Sequence, residues 1–173
     1  VIPEKRLSIQ ALVGKRQVAA GFDRDSIYAE CSTALEKLRQ KGWDISTFSN
    51  ARGDNQFADT MAETIGPLDH HKLFGSKNIF SPLDFFASLP LTVGMRGHAQ
   101  MIPFGMGNPI LSLFVHNKLR YFLEDIGHPE LCIDVRRPGF GDEIVEKSEY
   151  VFNNFDALRS DFKKKQKEFF SLT

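Results

Sequence analysis

Short apolar runs alternate with stretches of helical spacing along most of the chain. Leu89–Gly94 and Ile110–Val115 have the length and apolar character of strands buried on both faces, and Trp43–Phe48 and Leu131–Val135 read the same way. Gln17–Phe22 is the expected first strand. Before it, Val1–Lys15 scatters Leu7, Ile9, Leu12 and Val13 among charges, which reads as a linker or a short helix. Ile27, Cys31, Ala34, Leu35 and Leu38 recur at helical spacing and stop at Gly42; Phe57, Met61 and Ile65 do so before Gly66-Pro67. Asp69–Ser76 has loop composition, and Asn78–Phe80 is expected as a short strand. Ser81-Pro82 has the form of an N-cap and first helical residue for a single short helix to Ser88.

Further on, Leu119, Phe122, Leu123 and Ile126 make one apolar face that Gly127 closes. Arg136–Asp142 is a loop, and a weak helical segment runs to about Ser148. Phe155, Leu158, Phe162 and Phe169 then mark a terminal helix whose other face carries Lys163, Lys164, Lys165 and Lys167, a solvated face. Strand and helix alternate throughout, so the expected class is α/β: a Rossmann-like three-layer sandwich around a mostly parallel sheet of five or six strands. The organisation read from this is a linker or short helix over 1–15, a Rossmann-like domain over 16–150 and a C-terminal helix over 151–173.

Composition narrows the function. The chain of 173 residues carries 22 basic and 22 acidic side chains, so it has no global field for nucleic acid or an anionic membrane. No run approaches the roughly 20 apolar residues of a membrane span, and the N-terminus has no signal-peptide core, which points to the cytoplasm. Cys31 and Cys132 lie far apart, one in an expected helix and one in an expected strand, and read as buried free thiols. The adjacent His70 and His71 diverge and do not make a metal site. Arg52-Gly53-Asp54 is simply loop composition, and no phosphate-binding loop, dinucleotide fingerprint or serine elbow is present.

Chemistry concentrates at two strand ends. Gly94 is followed by Arg96 and His98, which places a cation and a titratable ring just past a carboxyl end, where open α/β sheets bind ligands. Gly97 leaves the amides that open the next helix accessible, and those amides favour an anion. A lysine or arginine at a helix start opposes the dipole by roughly 0.3 to 1 kcal/mol, so an anionic guest makes physical sense of Arg96. Val115 is likewise followed by His116, Asn117 and Lys118, with Asn117 the expected cap of the next helix. Arg24, after the expected first strand, is a further candidate for the same crevice. Pro103 falls inside the helix that His98 opens, so that helix is expected to be short or kinked.

The pattern G-x-R-x-H-A over Gly94–Ala99, then a small-residue helix, G-x-P before a strand and a lysine opening the next helix, resembles the polysaccharide pyruvyl transferase family. The similarity runs from about Gln17 to Val135. It implies the carboxyl-terminal, donor-binding half of a glycosyltransferase B-type fold, with phosphoenolpyruvate as donor, a sugar or polysaccharide precursor as acceptor and no cofactor or metal. Arg96 and His98 fall on the family's arginine and histidine, and Lys118 on its lysine. Gly97 and His116 depart from the pattern, where a larger apolar residue and a tyrosine are common. The resemblance makes Arg96 and His98 the catalytic candidates, and Arg96, Gly97, His116, Asn117, Lys118 and Arg24 the substrate-binding ones. Because only half of the family's length is covered, an N-terminal domain is expected to supply the other wall, and this half alone to be inactive. A nucleotide-sugar glycosyltransferase of the same fold and a non-catalytic anion-binding domain are the alternatives.

Overall fold

A computed structural model describes residues 4–75, 78 and 80–171. Six strands form one sheet: β1 (Arg6–Gln10), β2 (Asp44–Ser49), β3 (Asp69–Lys72), β4 (Leu91–Gly94), β5 (Ile110–Phe114) and β6 (Cys132–Asp134). Every neighbouring pair is parallel, in the order β3-β2-β1-β4-β5-β6. The chain thus builds outward from β1 to one edge, returns to the middle and builds to the other. The loops leaving β1 and β4 diverge at this switch point, which in such sheets opens a crevice at the carboxyl edge.

The helices are α1 (Lys15–Ala19), α2 (Arg24–Gln40), α3 (Asn55–Ile65), α4 (Ser81–Ser88), α5 (His98–Gly105), α6 (Asn117–Asp125), α7 (Phe140–Asn153) and α8 (Phe155–Ser171). Helix α2 packs on α3 and α7, and α5 packs on α4 and on β4 and β5, with α6 on β5, so helices flank the sheet in the expected layers. Leu7, Ile9, Leu91, Val93, Leu111 and Leu113 are fully or almost fully buried with Leu35, Leu38 and Ile144 in the main core. Helix α7 is tied to α2, because Glu30 accepts from the amides of Gly139 and Gly141 at 2.8 and 3.0 Å. Helix α8 is tied to α5. The rings of Phe162 and Phe169 meet Phe104, Arg159 Nε donates to the Gly107 carbonyl at 3.0 Å, and the Gln166 amide donates to the Phe104 carbonyl. Among the described residues no helix is long and apolar enough to cross a membrane, and no cluster of His, Cys, Asp and Glu is placed to hold a metal. Cys31 and Cys132 are free, and burial pushes the Cys31 thiol up to about 12.

The amino-terminal quarter corrects the sequence reading. The first strand is Arg6–Gln10, not Gln17–Phe22, so part of the expected linker is the sheet's central strand. Ser8 and Gln10, both fully buried, interrupt the apolar run that would have marked it. Their oxygens are served by neighbouring segments, since Ser46 Oγ donates to Ser8 Oγ at 2.9 Å and Gln10 Oε1 accepts from the Met95 amide at 3.2 Å, while Gln10 Nε2 has no partner among the described residues. Lys15–Ala19 is instead the short helix α1, and Gly21 at φ 89° turns the chain away from it. At the other end, α7 continues to Asn153, so the boundary placed at 150 falls inside a helix, and α8 buries Leu158 and Phe162 in the same core. Asn78 and Phe80 form no strand; the Asn78 side chain accepts from the Phe80 amide at 3.0 Å, and residue 79 lies outside the described residues. Phe80, not Ser81, caps α4. Asn117 is the first residue of α6, not its cap, which is His116.

Strand β3 has the polar sequence Asp69-His70-His71-Lys72, which reads as a loop. It is held in the sheet by its histidine. His70 Nδ1 lies 2.9 Å from Thr47 Oγ1 and Nε2 lies 3.1 Å from Ser49 Oγ, so one ring bridges two hydroxyls of β2. One of these hydrogen bonds needs an unprotonated ring nitrogen whenever the hydroxyl donates to it. Burial, with Lys72 nearby, lowers the His70 pKa. The neutral ring therefore contributes stability above the unfolded-state value, and this is lost as pH falls through the lower folded-state value. The protection factor of the Leu73 amide, which donates to the Ser49 carbonyl at 2.9 Å just past β3, is expected to fall on acidification below the ordinary histidine range, and less steeply in Thr47→Val; protection independent of pH would contradict this account of β3.

Candidate functional site

The loops after β1, β4 and β5 enclose a cleft of about 320 Å³ at the switch point. Its polar lining is Gln17, Arg96, Gly97, His98 and His116, and its apolar lining is Leu12, Met95, Met101 and Val115. Each is delivered by a local reason. Leu12 leaves β1 and Gln17 sits on α1, where its Oε1 accepts from the Gly14 amide at 3.1 Å and fixes the turn. Met95 is pinned from two sides, its amide by Gln10 and its sulfur by the Leu12 amide at 3.3 Å. Arg96, Gly97 and His98 form the turn from β4 into α5. His116 follows β5 after Val115 and is the N-cap residue of α6.

The turn after β4 is tight because of one pair of residues. A Cβ built on Gly94 would collide with the Cβ of Ala99, so α5 rests directly on the strand end and no side chain other than hydrogen fits at position 94. The first and last residues of the G-x-R-x-H-A pattern are therefore the contact that sets where Arg96 and His98 stand. Among the described residues the amides of Arg96, Gly97 and His98 have no acceptor. Neither α5 nor α6 has a capping side chain or an acidic residue in its first turn. By contrast α2 is capped by Asp23, and the turn into α7 by Glu30. Helices α1, α3 and α4 also start without a side-chain cap, but α5 and α6 are the ones that open beside the cleft, where each can stabilise an anion by roughly 0.3 to 1 kcal/mol and more when partly buried.

Arg96 does not stand alone. Its Nε donates to Asp54 Oδ1 at 2.7 Å, and the Asp54 side chain is fully buried. The other carboxylate oxygen accepts from the amides of Asn50 and Ala51 at 2.9 and 3.2 Å. Asp54 thus accepts three N–H bonds and holds the guanidinium by its Nε edge, leaving both terminal amino groups without a partner among the described residues. The pair is neutral as a unit but directional, and its free edge is a two-pronged donor of the kind that fits a carboxylate or phosphate.

Four sequence candidates, Arg96, Gly97, His98 and His116, share the cleft; three do not. Asn117 and Lys118 are exposed on the first turn of α6, beyond His116, and do not line it. Arg24 lies apart, donating to Gln56 Oε1 at 3.2 Å across the groove between α2 and α3. It follows α1 and not a strand, which removes the reason for placing it at the crevice. Asp54, Gln17, Leu12 and Met95 were not among the candidates. Asp54 carries one local signal, a carboxylate just ahead of a helix, but its use here depends on Arg96, far off in sequence.

No family model matches the chain, and no curated protein matches it. Among solved structures, one described as "Crystal structure of GtfA/B complex" aligns with a TM-score of 0.40 and 15% identity, over 96% of this chain and 36% of that one. The chain spans little more than a third of that protein's length, and a likeness at this level carries no argument.

The Gly94–Ala99 contact is directly testable. Gly94→Ala is expected to lower unfolding free energy by about 1–3 kcal/mol, the usual cost of overpacking. Adding Ala99→Gly, which removes the colliding methyl, is expected to return part of that loss in urea unfolding. A Gly94→Ala protein as stable as the parent would contradict the contact.

Proposed function

We propose that this chain is the donor-binding half of a pyruvyl transferase that moves pyruvate from phosphoenolpyruvate onto a sugar as a ketal, in cell-surface polysaccharide synthesis. The observation that carries the reading is the convergence of Arg96, His98 and His116 on one switch-point cleft, beside two uncapped helix starts. The resemblance of Gly94–Ala99 and its surroundings to that family supplies the chemistry. In this reading the free edge of Arg96 takes the donor's carboxylate or phosphate, and the amides of Gly97 and His98 take the remaining negative charge. The apolar wall of Leu12, Met95, Met101 and Val115 faces the unsaturated carbons. Lys118 and Asn117 stand at the outer rim, toward the expected second domain and the acceptor.

Ketal formation moves one proton to the methylene carbon of the enol. A sugar hydroxyl oxygen adds to the adjacent carbon and loses its proton, and a second hydroxyl oxygen then displaces the phosphate, its proton leaving with the phosphate as inorganic phosphate. His98, exposed at the start of α5, is the general acid or base for one of these transfers. A nucleotide-sugar donor fits less well. At about 320 Å³ the cleft is at the small end of ligand pockets, and no carboxylate lines it to hold a ribose.

Calorimetric titration is expected to show phosphoenolpyruvate binding in preference to nucleoside diphosphates. Arg96→Ala should weaken it about 10- to 100-fold, the loss of one or two charge-assisted hydrogen bonds of about 1.5–3 kcal/mol. In the complete enzyme His98→Ala should abolish turnover while donor binding, weakened by at most about tenfold, stays measurable. Preference for a nucleoside diphosphate, or undiminished turnover by His98→Ala, would overturn the reading.

A further inference from the structure

The charge balance of the cleft differs from what its residue types imply. Arg96 is the only permanently charged side chain in the lining, and Asp54, fully buried behind it, already balances that charge. The remaining ionisable lining groups are His98 and His116. On the surrounding elements, Lys15 and Arg16 of α1 and Lys118 and Arg120 of α6 are exposed and outside the lining, where solvent and salt screen them. Gln17 is neutral. A multiply charged anion entering at neutral pH therefore meets a guanidinium that is already neutralised, two imidazoles and the partial charges of two helix starts.

From this balance we infer that the site takes up its anion together with protons, bound on His98 and His116. The inference rests on the anion-site reading above and adds to it the source of the compensating charge. An anion beside an imidazole favours the imidazolium, so binding draws a proton from solution, and by linkage the affinity rises as pH falls through the histidine range. For a donor that must be protonated at carbon, the consequence is chemical. The arrival of the anion charges the group that will deliver the proton, and the acid is present only when a donor is bound.

Sulfate is the suitable probe, because it does not itself titrate over the range that matters. With the full chain, calorimetry at about pH 7.5 in two buffers of different ionisation enthalpy is expected to show uptake of about one proton per sulfate bound, and sulfate affinity should rise about tenfold or more between about pH 8 and about pH 5.5. His98→Gln combined with His116→Gln should abolish the uptake and leave weak binding that does not change with pH, which excludes the other three histidines as its source. Asp54→Asn, shown by circular dichroism to be folded, should bind sulfate about tenfold more tightly than the parent at about pH 8, since the guanidinium is then unbalanced. The measurements on the unsubstituted chain decide the matter if that variant does not fold. Equal affinity at both pH values with no proton uptake would overturn the inference while leaving the anion site standing. Failure to bind either sulfate or phosphoenolpyruvate at any pH would remove the anion site itself, and the inference with it.

Discussion

The buried carboxylate of Asp54 is the joint on which the carboxyl edge of the sheet depends. It belongs to the turn after β2, grips the amides of that turn, and reaches past the end of β1 to hold Arg96 after β4. Taking a carboxylate out of water costs several kcal/mol, and its pairing with a guanidinium one-third exposed offsets that cost without a large surplus. The arrangement is better understood as fixing direction than as adding stability. A free arginine would sweep many rotamers, whereas one held by Nε presents its terminal nitrogens on one side.

Around that joint, neighbouring features act in the same sense. The absence of a side chain at Gly94 lets α5 sit on the strand end, so the first amides of the helix stand at the crevice. The far end of α5 is held by α8, through the Phe104 ring and through hydrogen bonds from Arg159 and Gln166 to the Gly107 and Phe104 carbonyls at the helix end. Asp23 and Glu30 satisfy the amides that open α2 and the turn into α7, whereas those that open α5 and α6 beside the switch point have no such side chain. Sheet topology chooses the place, and local capping decides that the place is open.

What could be read in the sequence follows the same physics. Strands β4 and β5 announce themselves because both of their faces are apolar or small, and the residues that follow such strands must lie at the carboxyl edge; hence Arg96, His98 and His116 were legible. Strand β1 is hidden because its second face is polar, and Ser8 Oγ and Gln10 Oε1 find their partners in Ser46 and the Met95 amide, contacts that only the fold creates. Arg24 was misplaced as a direct consequence. Strand β3 was hidden because its pairing rests on hydroxyls of β2 gripping one imidazole. Asp54 reads as loop composition because its partner is 42 residues away, and no local periodicity encodes that distance.

The claim at the centre of this account is that the backbone and side chains at the start of α5, with His116 opposite, together receive a small anion. A heteronuclear NMR titration of the chain with phosphoenolpyruvate tests it most directly. Saturable shifts are expected in the amides of Gly97 and His98, with the Arg96 Nη groups and the His116 ring following the same isotherm. Saturation that leaves those signals unmoved, with the shifts gathered at another surface, would contradict the account.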